Sequence, residues 1–177
     1  MYAGENRGFT LIEVLIVVLI IGMLAAIAVP TMLGQRDRAR LRALQVSAKS
    51  VERDLMIVVD GYSKSTPIIF LLATGQQGCY EATGATGSSK CDIVYTGIPL
   101  AGNYNDIDDI ISLYIVQQND GMFSRSPYDD APLFTDNNDP IIRKGRVVLT
   151  NTTSKDINVS AWSPTGGLVM NSSISAR

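Results

Sequence analysis

The chain has 177 residues, 18% of them charged, and a formal net charge of -2. This length holds one globular domain beside a long helix, and the slightly acidic balance argues against nucleic acid as the main partner. The chain has no histidine, which excludes a histidine general base, a Ser-His-Asp triad and imidazole metal ligands. We therefore expect no enzyme.

The first eight residues, MYAGENRG, are polar and place Arg7 and Gly8 directly before an apolar segment. A secretory signal peptide has its small-residue cleavage site after the apolar region, whereas Gly8 precedes it here. We predict that residues 1–8 form a leader. A cut between Gly8 and Phe9 leaves the hydrophobic segment on the mature protein.

Residues 9–34, FTLIEVLIVVLIIGMLAAIAVPTMLG, are apolar apart from Thr10, Glu13 and Thr31. As a helix rising about 1.5 Å per residue, this segment is long enough to cross the roughly 30 Å hydrocarbon core of a bilayer. A helix that is apolar all round lies in lipid or inside a protein assembly. We therefore predict a transmembrane or filament-core helix over residues 9–34.

The run from Arg7 to Glu13, RGFTLIE, followed by VLIVVLIIGMLAAIAVP, resembles the class III leader and N-terminal helix of type IV pilins and type II secretion pseudopilins. The resemblance implies a structural subunit of a type IV pilus-like filament or, alternatively, a pseudopilin of a type II secretion system. It also implies cleavage after Gly8 by a prepilin peptidase and N-methylation of Phe9.

The same resemblance implies a single-pass protein of the inner membrane with its head outside the cytoplasm. Inner-membrane machinery would then move it from lipid into an extracellular pilus or a periplasmic pseudopilus of identical or homologous subunits. Arg7 favours the cytoplasmic side for the leader, but charge counting opposes this orientation, because Arg36, Arg38, Arg40 and Arg42 follow the span and basic residues favour the cytoplasm. The pilin-like leader decides the orientation here.

Glu13 is a carboxylate inside the apolar segment. Near the middle of such a helix it costs at least about 2.5 to 3.5 kcal/mol on insertion scales, and it is therefore a candidate functional residue. Cleavage before Phe9 would create an amine at i, i+4 spacing, able to neutralise Glu13 within one subunit or between neighbours. The resemblance implies the intersubunit pairing, which sets register during assembly. The alternative is a tolerated acid near the membrane interface.

Gly22 and Pro30 also belong to the predicted assembly segment. Proline removes a helix hydrogen bond and clashes with the preceding turn, and glycine weakens a helix. The resemblance suggests that residues 22–30 lose helicity and extend on assembly. A simple kink in an intact helix is the alternative.

Residues 35–60 predict an amphipathic continuation of the helix, ended by Gly61. Its apolar residues recur at three- and four-residue steps: Leu41, Leu44, Ser47 or Ala48, Val51, Leu55 and Val58. We call residues 36–54 the basic collar, because they include six basic and three acidic residues. The chain from Leu55 onward has eight basic and twelve acidic residues. The basic residues of the collar either form a solvent-exposed face or contact lipid head groups or acids of a neighbouring head.

Residues 61–177 are predicted to form a globular head, so the fold class is α+β. By resemblance to pilins, the long N-terminal helix packs under a small antiparallel β-sheet. Within the head, residues 105–118 predict a helix capped by Asn105 or Asp106. Residues 144–170 predict antiparallel strands separated by turns.

Residues 62–102 are interpreted as a connecting region with one apolar run, residues 67–73, in the core. Cys79 and Cys91 enclose a loop rich in Gly, Ser and Thr. In an oxidising exterior compartment they form a disulfide worth on the order of 3 kcal/mol. Two unrelated buried thiols are the alternative.

A late Pro-containing loop carries four acids: Asp129, Asp130, Asp136 and Asp139. Major pseudopilins hold calcium in a comparable loop, so the resemblance makes these oxygens calcium candidates. A second acidic group is formed by Asp106, Asp108 and Asp109. Solvated loop acids are the alternative, because the EF-hand spacing is absent. We expect no other cofactor.

Overall fold

The computed structural model describes residues 9–122, 124–153 and 155–175. Its helices are α1 (Leu11–Ser63), α2 (Cys91–Val94) and α3 (Ile107–Val116), with a π-helical turn at Gln117–Gly121 after α3. Its strands are β1 (Ile68–Leu71), β2 (Gln77–Ala82), β3 (Leu100–Tyr104), β4 (Phe134–Thr135), β5 (Val147–Thr153), β6 (Asp156–Trp162) and β7 (Leu168–Ser175). The fold class is α+β, as predicted.

The chain divides into two units, Met1–Ala39 and Arg40–Arg177. The first unit contains the apolar part of α1, whose described side chains are all exposed. Both Gly22 and Pro30 lie inside the continuous helix. Next to the proline, the Thr31 hydroxyl donates to the carbonyl oxygen of Ala28 at 2.8 Å. Whether residues 22–30 extend on assembly stays a prediction.

In the second unit, α1 buries one stripe of side chains: Leu44, Ala48, Val51, Leu55 and Val59. These positions follow one face of a helix, and the stripe is the one that the apolar spacing predicts. Ala48 takes the position for which Ser47 was the other candidate. The last turn differs from the prediction, since Val59 is fully buried and Val58 only half-buried.

The helix ends at Ser63, after Gly61 and not at it. The amide of Thr66 donates to the Gly61 carbonyl at 2.9 Å, and Ser65 adopts the left-handed φ of 51°. A left-handed residue after the last turn is how many helices satisfy their final carbonyls. Here a serine takes the position for which the sequence suggested a glycine.

The C-terminal sheet has the strand order β4-β5-β6-β7. β5, β6 and β7 are antiparallel neighbours, as the sequence predicts, and the short β4 joins β5 in parallel. Strand β7 forms one edge of this sheet. The sheet covers the buried stripe of α1 with Val147, Leu149, Ile157, Val159 and Ile174.

Residues 62–102 were predicted to be a connecting region, and this was wrong. They contain a second sheet of order β1-β2-β3, in which β2 and β3 pair in parallel. Parallel neighbours are far apart in sequence and leave no hairpin signal. The apolar run does enter the core, where Ile68 and Phe70 of β1 are buried.

Helix α3 begins where predicted, with Asp106 as its N-cap. The Asp106 carboxylate accepts from the amides of Asp108 and Asp109, both at 3.0 Å. The helix buries Ile107, Ile110, Ile111 and Tyr114 in the same core cluster as α1. The head is therefore built around one apolar core shared by α1, α3 and both sheets.

Candidate functional site

The N-terminal segment holds the residues predicted for processing and assembly. α1 begins at Leu11, and the amides of Glu13 and Val14 donate to the Thr10 carbonyl at 3.1 and 3.3 Å. Phe9 therefore precedes the helix. Gly8 lies outside the described residues, and cleavage between Gly8 and Phe9 stays a prediction.

Glu13 lies in the first turn of α1, not near the middle of the helix. A carboxylate in the first turn is favoured by the helix dipole, which offsets part of its cost in an apolar environment. Because α1 starts after Phe9, the helical i, i+4 geometry between residues 9 and 13 is not formed within the described chain. The pairing of Glu13 with a new terminus is thus not predetermined by the helix itself.

The apolar part of α1 is long and apolar enough to cross a membrane, and none of its most apolar window is buried within the chain. Seventeen large apolar side chains between Phe9 and Leu33 are exposed. Fully burying one such side chain is worth about 1.5 to 3 kcal/mol. Burying all of these side chains would therefore contribute tens of kcal/mol, which favours a location in lipid or in a protein assembly over water.

The Cys79–Cys91 disulfide predicted from the sequence is present. Cys79 lies in β2 and Cys91 at the start of α2, and both are buried. Glu81, only 8% exposed, accepts the Cys91 backbone N–H at 2.9 Å. This buried carboxylate was missed, because a lone Glu in a loop-rich region gives no sequence signal for burial.

Two of the four late-loop acids, Asp129 and Asp139, have partners within the protein. Asp129 pairs with the Arg146 guanidinium at 3.1 Å, and Asp139 accepts the Ile141 amide at 2.8 Å. Asp108, from the other acidic group, accepts the Asn151 side-chain amide at 2.9 Å. Among the described residues, no three acids, histidines or cysteines form a group that could hold a metal ion. Calcium binding by Asp129, Asp130, Asp136 and Asp139 stays a prediction.

The late loop also holds a cation–π contact. The Arg143 guanidinium lies over the Trp162 ring, 3.6 Å from its centroid, and its Nη1 donates to the Asn138 side-chain oxygen at 3.2 Å. Such contacts restrain a long side chain. The loop before β5 is therefore tied to the end of β6.

A family model described as the prokaryotic N-terminal methylation motif matches residues 5–29. This range includes Gly8, Phe9, Glu13 and Gly22, and Pro30 follows it directly. The type IV major pilin protein PilA of Myxococcus xanthus is 35% identical over 109 residues, 56% of this chain and 50% of that protein. Over these residues the chain is similar to type IV pilins.

Type II secretion pseudopilins match over shorter stretches. Core protein G of Pseudomonas aeruginosa is 34% identical over 64 residues, 36% of this chain and 45% of that protein. Core protein G of Klebsiella michiganensis is 48% identical over 39 residues, 22% of this chain and 28% of that protein. The chain thus spans half or less of the length of these relatives. No solved structure matches it.

Proposed function

We propose that this pilin-like chain is a structural subunit of a type IV pilus-like filament, cleaved after Gly8, N-methylated on Phe9 and assembled through its N-terminal helix. The observation that carries the proposal is the exposed apolar part of α1 with Glu13 in its first turn. Such a surface needs lipid before assembly and the helices of other subunits afterwards. Burial is preserved when the second environment replaces the first.

Glu13 sets the position of each subunit when the helices of other subunits replace lipid around α1. Cleavage before Phe9 gives the chain a new positive terminus, and an acid in a low-dielectric surrounding is stable only when it is paired. The start of α1 at Leu11 leaves the terminus of one subunit free to meet Glu13 of a neighbour. Gly22 and Pro30 weaken the helix, and we therefore expect residues 22–30 to be the part that extends on assembly.

A pseudopilin of a type II secretion system is the second candidate, supported by the core protein G relatives. The length of the matches favours the pilus. A match over 109 residues cannot lie on the 39 residues of the first unit alone, so the likeness to the pilin includes the head. The core protein G match of 39 residues is short enough to fall on the N-terminal helix.

The proposal places the protein in the inner membrane before assembly, with its head outside the cytoplasm, and names three kinds of partner. These are a prepilin peptidase, the inner-membrane assembly machinery and other pilin subunits. The role is mechanical, since the relatives are a pilin and secretion-system core proteins, and the proposal assigns the chain no catalytic activity.

The proposal is tested with Glu13→Ala in the native host. We expect the variant to be inserted in the membrane and processed, with Phe9 as its methylated N-terminus by mass spectrometry, but to give no filaments by electron microscopy. Thr31→Ala is the matched control, since it removes a polar but uncharged side chain from the same segment and should assemble. Normal filament yield from Glu13→Ala, or a mature protein that keeps Met1, contradicts the proposal.

A further inference from the structure

The carboxylate of Glu81 lies beside the disulfide of the head. Glu81 follows Cys79 by two residues in β2, and alternate residues of a strand point to the same face of the sheet. Both side chains are buried there. Cys79 is bonded to the Cys91 sulfur, and Glu81 Oε2 accepts the Cys91 backbone N–H at 2.9 Å. The first residue of α2 is thus bound to β2 through its side chain and through its main chain.

The hydrogen bond from Cys91 also gives Glu81 a structural role. Helix α2 has four residues, and its N-cap, Lys90, makes no side-chain capping bond. The first amides of a helix have no acceptor within the helix, so Glu81 supplies one from a neighbouring strand. A cap of this kind needs only an oxygen acceptor, and a neutral amide oxygen serves as well as a carboxylate.

The charge of Glu81 goes beyond what capping requires. In the part of the chain that the structure describes, no lysine or arginine forms an ion pair with this carboxylate. Glu81 is only 8% exposed, so water screens its charge weakly. Covalent geometry keeps the sulfur of Cys91 within about 3.5 Å of its own backbone nitrogen. The Glu81 oxygen that accepts this N–H therefore lies within about 6 Å of the disulfide.

A negative charge at this position opposes the reduction of the disulfide. Reduction by dithiothreitol begins when a thiolate of the reagent attacks one sulfur. A new S–S bond forms as the old one breaks, and the other cysteine leaves as a thiolate. The second thiol of the reagent then displaces the first cysteine. The protein gains two electrons and two protons, and dithiothreitol becomes a cyclic disulfide. Both steps place anionic sulfur near Glu81, and like charges repel.

We propose that Glu81 protects the Cys79–Cys91 disulfide against attack by thiolates, so that this bond is a permanent part of the head and not a redox switch. Burial contributes to the same result, since Cys79 is 0% and Cys91 2% exposed. The inference goes beyond the proposed function and does not depend on it, because the protection acts within one head and needs no filament.

The proposal is tested by the rate at which dithiothreitol reduces the purified full chain in detergent, with alkylation of the released thiols and mass spectrometry as the readout. Glu81→Gln keeps the size of the side chain and an acceptor for the Cys91 amide but removes the charge. We expect it to be reduced at least about threefold faster than wild type, the effect of one like charge at about 6 Å through water. An equal or lower rate overturns the inference.

Glu52→Gln is the matched control. Glu52 also accepts one hydrogen bond, from the Ser172 hydroxyl at 2.8 Å, but it lies on α1 and contacts the other sheet. The rate of reduction should be the same as in wild type. If Glu52→Gln accelerates reduction as much as Glu81→Gln does, the effect comes from the net charge of the protein, and the inference is wrong.

Thiols of opposite charge separate protection by charge from loosening of α2. The cation cysteamine should reduce wild type faster than the anion mercaptoethanesulfonate does, and the ratio of the two rates should fall about two- to fourfold in Glu81→Gln at low salt. If Glu81 only caps α2, both rates rise together and the ratio stays the same, which overturns the inference. Should Glu81→Gln fail to fold, the ratio for wild type is compared with that for the neutral bis(hydroxyethyl) disulfide, and equal ratios overturn it.

Discussion

Removing the Cys79–Cys91 disulfide should destabilise the head by about 3 kcal/mol. The bond closes a loop with a sequence separation of 12 residues. The chain-entropy relation for a loop of this length gives about 9 to 10 cal/mol/K, which is about 3 kcal/mol at 25 °C. A domain of this size has roughly 5 to 15 kcal/mol of stability, so the Cys79→Ala, Cys91→Ala variant should still fold.

The assay is urea unfolding of the full chain in detergent, followed by fluorescence. Trp162, the single tryptophan, lies in β6 and reports on the head and not on the apolar helix. With a slope of about 1 to 3 kcal/mol/M, the loss should lower the midpoint by about 1 to 3 M urea. Wild type treated with a thiol reductant is the control and should show the same loss. A variant within about 0.5 kcal/mol of wild type would refute the loop-entropy argument.

Two further predictions concern the head. Leu55→Ala removes a fully buried side chain and should lower the free energy of unfolding by about 2 to 5 kcal/mol. Ile57 is 76% exposed, so the control Ile57→Ala should change that free energy by less than about 0.5 kcal/mol. Equal losses from the two variants would contradict the burial assignment. Burial and the neighbouring Asp54 raise the pKa of Tyr114, so the unfolded chain ionises first and stability should fall as pH rises above about 10. Tyr114→Phe should flatten that fall, with the remainder due to Tyr104, whose pKa is also raised by burial; an unchanged slope would contradict this.

The sequence predicted the elements whose pattern is local. The three- and four-residue spacing gave the buried stripe of α1, because one face of a regular helix is determined by its own residues. Asp106 followed by acids gave the start of α3, since an N-cap needs only its next three residues. The last three strands alternate and are joined by short turns, so their antiparallel order was also readable.

The elements that the sequence did not reveal depend on residues far apart in the chain. β2 pairs with β3 in parallel, and neither strand is long enough to show a period. The burial of Glu81 depends on the disulfide that brings the Cys91 amide to it. Likewise, the ion pair between Asp129 and Arg146 joins residues that are far apart in the sequence. Contacts between residues this far apart in the sequence cannot be predicted from spacing along the chain.

The part of α1 in the first unit serves assembly, whereas the part in the second unit belongs to the core of the head. Mutations should therefore affect filament assembly and head stability independently. Among the described residues, the core cluster of the head contains none before Leu44, while Glu13 and the exposed apolar side chains from Phe9 to Leu33 belong to the first unit. Mutations at sites without shared partners have additive effects. Glu13→Ala should therefore abolish filaments without moving the unfolding midpoint that Trp162 reports, and Leu55→Ala should lower that midpoint without preventing insertion or processing. A shift of the midpoint in Glu13→Ala would mean that the N-terminal segment contributes to the folding of the head, and the loss of filaments could then no longer be assigned to the charge.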